Sequence, residues 1–354
     1  MALPDRARPN QVAGKDPLIS VVIACRNEAS AIEDCLRSLL AQEGMGAGFE
    51  VLVVDGASTD GTRTILDRLA ERDPRLRVVD NPSRISASAL NLGILAARGR
   101  YIAIVGAHAR YSSDYLAACL AEAERTGAEN VGGAMFVEGR GPIGKAIQLA
   151  HHSRFSVGGA RWHDPTFEGY ADTVFGGFYR RDVFERIGLF DETLVRTEDD
   201  EFNLRLQRTG GRIFISPRIR SWYQPRESLR RLLGQYTQYG YWKVPVIVKH
   251  RRVASLRHLA PGVCLAGWMA AVLVGLVRRR LLLIPAAAGA AYASTNLLVS
   301  LQLVRRQRPA WRSGALLPVV FACMHFGYGY GFLRGVFDFL IRGQGTGRFT
   351  RLTR

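Results

Sequence analysis

Short apolar runs alternate with amphipathic stretches through the first third of the chain. The runs are LISVVIA (18–24), FEVLVVD (49–55), LRVVD (76–80) and YIAIVG (101–106), and the stretch after the first has one helical face made of Ile32, Cys35, Leu36, Leu39 and Leu40. This alternation predicts parallel α/β layers whose strands are buried on both faces. Ligands of such sheets bind beyond the carboxyl ends of the strands, so we expect a site in the loops after residues 24, 54 and 105.

The pattern changes twice farther along the chain. From about residue 128 it loosens into glycine-rich and aromatic segments such as GGAMFVEGRGPIG, and residues 225–258 mix aromatic with basic side chains. That mixture is typical of a helix at a membrane interface. We therefore expect a polar leader over residues 1–16, an α/β domain over 17–224 and an interfacial segment over 225–258.

Three uncharged apolar stretches follow, over residues 259–277, 281–304 and 315–333. Each has roughly the ~20 residues that a helix needs to cross a hydrocarbon core of ~30 Å. Buried helices of a large soluble protein are the alternative, but arginine clusters such as RRR and RRQRPAWR bracket the stretches, as headgroup anchors do. We predict a transmembrane region over 259–341 and a basic tail over 342–354. Glycines and a histidine near the end of the third stretch make it a candidate re-entrant segment.

The net charge of +17 is concentrated near the C-terminus. From residue 249 onward, Lys249 and fifteen arginines stand against Asp338 alone, which leaves only about +2 on the first 248 residues. A nearly neutral domain lacks the electrostatic footprint of a nucleic-acid-binding protein. Four basic residues are lysines, at positions 15, 145, 243 and 249, and we interpret the excess of arginine as codon bias.

The five cysteines are odd in number, far apart and without the spacing of metal ligands. This favours a reduced, cytosolic domain. The leader has no apolar core, so we expect no cleavable signal peptide. The predicted location is the cell (inner) membrane, crossed several times, with the α/β domain in the cytoplasm.

Polar motifs follow the first two strands. Cys25-Arg26-Asn27-Glu28 ends the first, and DGASTDGT, which runs from Asp55 through Asp60, ends the second. A carboxylate that leaves a buried strand into such a turn can accept hydrogen bonds from a ribose or a base N–H, whereas ordinary turn chemistry explains each motif taken alone. Their repetition at successive strand ends favours a nucleotide site. The sequence contains neither the G-x-G-x-x-G of a dehydrogenase after the first strand nor a Walker motif.

Two later motifs carry further polar chemistry. In Gly106-Ala107-His108-Ala109-Arg110 the imidazole could ligate a divalent cation and the guanidinium could contact phosphate, although a neutral loop histidine is the alternative. Adjacent histidines 151 and 152 diverge on a helix, so we interpret them as structural.

The run Glu198-Asp199-Asp200-Glu201 is the most distinctive acidic cluster. Four consecutive carboxylates repel one another and raise one or more pKa values unless a cation or a donor network compensates. Acids that decorate a helix N-terminus are the alternative. A carboxylate held at a helix start is well placed to act as a general base.

Together these motifs resemble glycosyltransferase family 2. VVIACRNE, VVDGASTDGT, GAHARY, GGFYRR and TEDDEFNLRL stand in the family's order and spacing, and the HARY, EDDEFN and QYTQYGYWK details resemble bacterial exopolysaccharide enzymes of the succinoglycan ExoA type. The resemblance covers about residues 17–243. It implies a GT-A fold, with a mixed sheet and helices on both faces, and an inverting transfer from a nucleotide-activated sugar.

The resemblance also implies residue roles. Asp199 would deprotonate the acceptor hydroxyl, and Glu198 would support it. A Mg²⁺ or Mn²⁺ ion, with His108 as its protein ligand, would stabilise the diphosphate leaving group. The implied nucleotide-sugar-binding residues are Cys25, Asn27, Glu28, Asp55, Asp60, His108 and Arg110. The implied donor- and acceptor-loop residues are Gly176, Gly177, Gln235, Gln238 and Trp242.

Two departures from the family pattern affect these roles. Gly106 stands where relatives carry the first aspartate of D-x-D or D-x-H. Either His108 and the diphosphate hold the ion with less help from the protein, or another acid substitutes, or metal dependence is weakened. The Q-x-x-R-W signature is also degenerate, since Gln235 pairs with Gln238 and Tyr239, or Gln238 with Trp242.

The predicted function is that of a membrane-anchored hexosyltransferase-type enzyme of exopolysaccharide or cell-surface glycan biosynthesis. Its expected partners are a nucleotide-diphosphate sugar, a lipid-linked oligosaccharide or other membrane-associated acceptor, and membrane lipids, but not nucleic acid. A polyprenyl-phosphate sugar synthase and a non-catalytic membrane scaffold with a decayed transferase domain are the alternatives. Three spans offer little wall for the channel of a processive synthase, and they lack the buried ionisable pair of a transporter.

Overall fold

The computed structural model describes residues 16–45, 48–253, 255–343 and 349. The predicted polar leader, apart from Asp16, and most of the predicted basic tail lie outside these ranges.

Four parallel strands form one half of the main sheet, with a helix after each of the first three. In chain order the elements are β1 (Ile19–Cys25), α1 (Ile32–Leu40), β2 (Phe49–Asp55), α2 (Thr62–Ala70), β3 (Leu76–Asp80), α3 (Ser86–Ala96) and β4 (Tyr101–Gly106). Cys25 is level with Asp55, and Ala24 is level with Gly106. The strands therefore end along one edge of the sheet and bring the predicted loops together there.

The second half of the domain makes the sheet mixed. Its elements are β5 (Ala109–Tyr111), α4 (Tyr115–Thr126), β6 (Asn130–Gly133), β7 (Met135–Val137), α5 (Gly141–His151), α6 (Arg154–Val157), β8 (Gly169–Tyr170), β9 (Phe175–Arg180), α7 (Asp182–Ile187), α8 (Glu198–Arg208), β10 (Ile213–Ile215) and β11 (Ser221–Tyr223). The eight-stranded order is β3-β2-β1-β4-β9-β6-β10-β8, in which β9 runs antiparallel to β4 and β6. A smaller sheet has the order β5-β11-β7.

Apolar clusters cover both faces of the main sheet, as the uninterrupted strands predict. Val21 and Val53 pack on one side with α1 and α4, whereas Val22 and Leu52 pack on the other with α3 and α8. The edge strand β3 departs from the prediction, because its residues after Leu76 are only partly buried or exposed. A strand at the sheet edge has a neighbour on one side only, so its side chains stay within reach of water.

The C-terminal third is helical. It consists of α9 (Leu229–His250), α10 (Ala260–Val277), α11 (Leu283–Gln307) and α12 (Trp311–Gly335), which continues as a π-helix over Val336–Ile341; short 3₁₀ turns occur at Arg161–His163, Leu256–His258 and Arg279–Leu282. The last three helices are long and apolar enough to cross a membrane. The α9 helix lies in the predicted interfacial segment, yet Tyr241, Trp242 and Lys243 on it are buried. Its interfacial location stays a prediction.

Glycines allow α12 and α9 to pack closely against each other. A Cβ on Gly331 would lie 2.0 Å from the carbonyl oxygen of Thr237, and one on Gly240 would lie 2.1 Å from that of Tyr328. Such approaches are open only to glycine, as in closely packed membrane helices. The glycines of the third apolar stretch therefore serve helix packing within a continuous helix, and the path of this helix through a membrane stays a prediction.

Candidate active site

The acidic cluster forms the first turn of α8. Thr197 precedes it in the left-handed conformation, with φ of 63°, and its hydroxyl donates a hydrogen bond to the carbonyl oxygen of Trp242 on α9 at 3.1 Å. The four carboxylates thus occupy the positive end of the helix dipole. The dipole favours acids here but does not distinguish one of them from another.

The surroundings give these carboxylates different roles. Glu201 is fully buried and pairs with Arg205, Lys249 and His250. Asp200 pairs with Lys243, whose field and hydrogen bond keep its pKa below the usual range although burial opposes this. These contacts are the compensating network that the crowded charges require.

Asp199 faces the cavity described below. It remains exposed to that space while protein surrounds it elsewhere, and no basic side chain in the described residues lies within ion-pair distance of it. Burial, then the negative charges of Asp200 and Glu198, raise the pKa of Asp199 to about 7. Burial also raises the pKa of Glu198, which lies beside the Ser86 hydroxyl. A carboxyl group that titrates near neutral pH and faces open space has the properties of a general base.

The loops after β1 and β2 are bound to each other. The Asn27 N–H donates to Ser58 Oγ, and Asn27 Oδ1 accepts from the Thr59 N–H, both at 2.8 Å. The Glu28 N–H donates to Thr62 Oγ1 at 2.8 Å. Asn27 adopts a positive φ of 55°. The two predicted nucleotide motifs therefore form one unit at the sheet edge.

Within this unit the predicted binding residues are largely engaged by the chain itself. Asp55 accepts the Ser58 hydroxyl at 2.5 Å, and Asp60 accepts the N–H and hydroxyl of Thr62 and the N–H of Ala29. Cys25 is buried, and its carbonyl oxygen accepts the Gly56 N–H at 2.8 Å. These contacts set the loop shape, and a direct role of these residues toward a nucleotide stays a prediction.

His108 joins this unit, whereas Arg110 lies apart from it. His108 Nδ1 lies 3.3 Å from Glu28 Oε1. Arg110 pairs instead with Glu138 at 2.5 Å and lies over the ring of Trp222 on the small sheet. Among the residues that the structure describes, no three His, Cys, Asp or Glu side chains form a set that could hold a metal ion. A Mg²⁺ or Mn²⁺ ion held by His108 would therefore take its remaining ligands from the diphosphate, and this ion stays a prediction.

A cavity of about 1100 Å³ lies beside α8. Asp199, Asp200, Lys243 and Tyr223 line it. The ring of Tyr223 is 5.1 Å from that of His108, so the cavity ends next to the loop unit. Its lining does not include Asn27, Asp55 or His108. The predicted base and the predicted nucleotide loops therefore do not line one shared cavity, and Tyr223, which lines the cavity and contacts His108, connects the two.

The predicted donor- and acceptor-loop residues fall into three groups. Gly176 and Gly177 lie in β9 against β4, where a Cβ on Gly176 would lie 2.6 Å from the Ile104 carbonyl oxygen. Gln235 lines the cavity and donates to the hydroxyl of Tyr239 at 2.9 Å. Gln238 accepts from Arg196 at 3.2 Å, and the carbonyl of Trp242 holds Thr197, so both support the start of α8.

Several cavity residues were given no functional role in the sequence-based predictions. They are Lys243, His151, His163, Arg257 and His258. Lysine is rare in this chain, and two of its four lysines, Lys243 and Lys249, pair with the acidic helix. We interpreted the scarcity of lysine as codon bias, but the few lysines present could have indicated partners of the acidic cluster. His151, which we interpreted as structural, is buried and also lies on the cavity wall.

Known proteins resemble this chain in sequence. The profile of the family described as "Glycosyl transferase family 2" matches residues 20–188. The chain is 32% identical over 331 residues to the succinoglycan biosynthesis protein ExoA of Rhizobium meliloti (strain 1021), which covers 90% of this chain and 95% of that protein. It is 27% identical over 338 residues to a dolichyl N-acetyl-alpha-D-glucosaminyl phosphate 3-beta-D-2,3-diacetamido-2,3-dideoxy-beta-D-glucuronosyltransferase of Methanococcus voltae, with 93% and 98% covered.

Solved structures resemble it in fold. One is the mannosyltransferase PcManGT of Pyrobaculum calidifontis in complex with GDP-Man and Mn²⁺, which superposes with a TM-score of 0.56 at 21% sequence identity. The superposition covers 94% of this chain and 91% of the PcManGT chain. Residues 1–349 of S. aureus TarS, in complex with UDP, give a TM-score of 0.51 at 17% identity, with 92% of each chain covered. These similarities confirm the predicted GT-A fold.

Proposed function

The chain belongs to glycosyltransferase family 2, and we propose that it is a membrane-anchored inverting enzyme that transfers a hexose-type sugar from a nucleotide-sugar donor to a lipid-linked oligosaccharide or other membrane-associated acceptor. The observation that carries this proposal is the cavity that joins Asp199 to the apolar C-terminal helices. A base next to a space that continues between candidate membrane spans suits an acceptor that stays in the membrane.

The relatives support the acceptor class and the biological setting. One is named for succinoglycan biosynthesis, which supports a role in exopolysaccharide or cell-surface glycan assembly. The other is named for transfer to a sugar phosphate on dolichol, a membrane lipid. Anchoring confines the search for the acceptor to the bilayer surface and raises its effective concentration. The proposed location is the cell membrane, with the α/β domain in the cytoplasm.

The proposed chemistry uses the free carboxylate of α8. Asp199 takes the proton of the acceptor hydroxyl, whose oxygen then attacks the anomeric carbon of the donor from the side opposite the phosphate. The bond from that carbon to the diphosphate oxygen breaks, the nucleoside diphosphate leaves, and the configuration inverts. The fused loops after β1 and β2 are the proposed nucleotide site, and Glu198 keeps the charge around Asp199 negative.

The test begins with a panel of nucleotide sugars, screened for slow hydrolysis by the purified protein, and continues with transfer to membrane extracts. We expect Asp199→Asn to lower transfer by about 10²- to 10⁴-fold, the usual contribution of a general base, with donor binding retained. Asp182→Asn makes the same chemical change at a position that lies outside the cavity lining and should leave transfer intact. Near-normal transfer by Asp199→Asn would remove the base from the mechanism. If the unmodified protein binds the donor but does not turn it over, the scaffold alternative is favoured. If the product is a lipid monophosphate that carries the sugar, the polyprenyl-phosphate sugar synthase is favoured.

A further inference from the structure

The cavity beside Asp199 continues away from the α/β domain along two apolar helices. Its walls there include one face of α10 and one face of α11, where the lining positions recur every three or four residues, and part of α12 around Met324 and Phe326. On α10 they include Pro261, Leu265, Trp268 and Ala271, and on α11 they include Ile284, Ala288 and Tyr292. Residues 260 to 271 rise by about 16 Å at 1.5 Å per residue, or about half of a hydrocarbon core of ~30 Å. We call this part of the cavity the corridor.

The corridor is open at its side. Trp268 and Ile284 line it and are still 44% and 58% exposed. Both belong to helices that are candidate membrane spans, so the surface that they expose would face lipid chains. An apolar chain in the bilayer can therefore enter the corridor laterally without passing through water.

A polar segment of the same cavity lies where α10 begins, because Arg257 and His258 directly precede that helix and His258 is close enough to Asp200, the neighbour of Asp199, to feel its charge. It consists of His151, His163, Arg257 and His258, and we call it the waist. His151 and His163 are only 7% and 5% exposed, their rings are 5.3 Å apart, and the Nδ1 atoms of both and of His258 have no hydrogen-bond partner among the described residues. Buried polar atoms without partners are costly and rare, so they indicate a polar ligand at this point.

The waist supplies N–H donors for a phosphate group, and the two cations at or beside it are each paired with a carboxylate. Arg257 pairs with Asp172 at 2.5 Å, and Lys243 pairs with Asp200 nearby. Burial lowers the pKa of His151 to about 4 and that of His258 to about 3, so these rings are neutral at pH 7 and can donate one N–H each without adding charge. Arginine beside neutral donors binds phosphate oxygens well.

We propose that the corridor holds the isoprenoid chain of a polyprenyl-phosphate-linked acceptor, with its phosphate at the waist and its sugar hydroxyl at Asp199. This inference rests on the proposed function and names the lipid and its position. A single chain is favoured because α10 and α11 each present one helix face to the corridor, with small residues such as Ala271 and Ala288 among the lining positions. The order from apolar corridor through polar waist to base matches the order of chain, phosphate and sugar in such a lipid.

The test fills the corridor and leaves the rest of each helix unchanged. Ala271→Trp and Ala288→Trp place an indole inside it, whereas Ala270→Trp and Ala287→Trp place the same side chain on neighbouring exposed positions outside the lining. The full-length protein in detergent is mixed with undecaprenyl phosphate, with farnesyl phosphate or with phosphatidylglycerol, and retained lipid is measured by native mass spectrometry. Thermal melting of each variant establishes that it is folded.

We expect the unmodified protein and both control variants to retain undecaprenyl phosphate in preference to phosphatidylglycerol. The two corridor variants should bind it at least about tenfold more weakly, which corresponds to about 1.4 kcal/mol. If all four variants retain undecaprenyl phosphate equally, the inference is overturned. It is also overturned if the unmodified protein retains phosphatidylglycerol as well as it retains undecaprenyl phosphate. Donor hydrolysis by the unmodified protein separates the two proposals. Hydrolysis without polyprenyl phosphate binding refutes the corridor alone, whereas the absence of both refutes the proposed function.

Discussion

Replacing Asp200 with asparagine should move the acid limb of the pH–rate profile toward lower pH. The pKa of Asp199 is raised to about 7 by burial and then by the charges of Asp200 and Glu198. Transfer by the unmodified enzyme should therefore fall as the pH drops through about 7, because the base becomes protonated. Asp200→Asn removes the larger of the two negative fields and leaves the cation of Lys243 without its partner. Both changes lower the pKa of Asp199.

The size of the shift follows from the charges. Two unit charges about 6 Å apart interact by about 3 kcal/mol at an effective dielectric constant of about 20. Because Asp199 is exposed to an open cavity, we allow for screening by about half, which leaves a shift of about one pH unit in its pKa.

The assay is kcat/KM for sugar transfer between about pH 5 and pH 9, because this quantity reports groups of the free enzyme. Asp191→Asn is the matched control, since Asp191 pairs with Lys249, lies outside the cavity lining and is not among the groups that shift Asp199. A limb that stays in place or moves upward in Asp200→Asn would refute the reasoning. So would an equal shift in the control.

Three further predictions concern stability and metal binding. Glu201→Gln should lower the melting temperature strongly, by a free energy of about 3 kcal/mol, because it leaves three basic side chains without their buried carboxylate; an unchanged melting curve would contradict this. Gly331→Ala should destabilise the packing of α12 on α9 by about 1–3 kcal/mol, since its Cβ would overlap the Thr237 carbonyl, whereas Gly267→Ala on α10, with open space around it, should not. The donor-free protein should bind no Mn²⁺ above background in equilibrium dialysis, because the described residues assemble no metal-ligand set, and stoichiometric binding would show that one exists.

The sheet was largely predictable because its signals are local. Apolar runs gave β1, β2, β3 and β4 to within one residue, and parallel register then brings the loops after β1 and β2 to one edge. The mutual bonds of Asn27 with Ser58 and Thr59 follow from that arrangement. What local patterns do not contain is which side of a loop a ligand would use, so the roles of individual residues in this unit stay predictions.

The surroundings of the acidic cluster were not predictable in the same way. The sequence indicates that four adjacent carboxylates need compensation, but the partner of Asp200 lies 43 residues away on α9. Only the packing of α9 against α8 decides that Asp200 and Glu201 are neutralised while Asp199 is left facing the cavity. Likewise, the glycines of α12 interrupt an apolar pattern in the sequence. Only the structure explains them, because it shows how closely the carbonyl groups of α9 approach them.

The α9 helix links the candidate membrane spans to the proposed base. On one side its backbone rests on the glycines of α12, so closely that a methyl group at Gly331 would collide with it. On the other side it supplies Lys243 to Asp200 and the Trp242 carbonyl to Thr197. A shift of α12 against the α/β domain would thus change the contacts that leave Asp199 uncompensated. The C-terminal helices are consequently more than candidate membrane spans, because they form one wall of the cavity and hold the helix that fixes the electrostatics around Asp199, the proposed base.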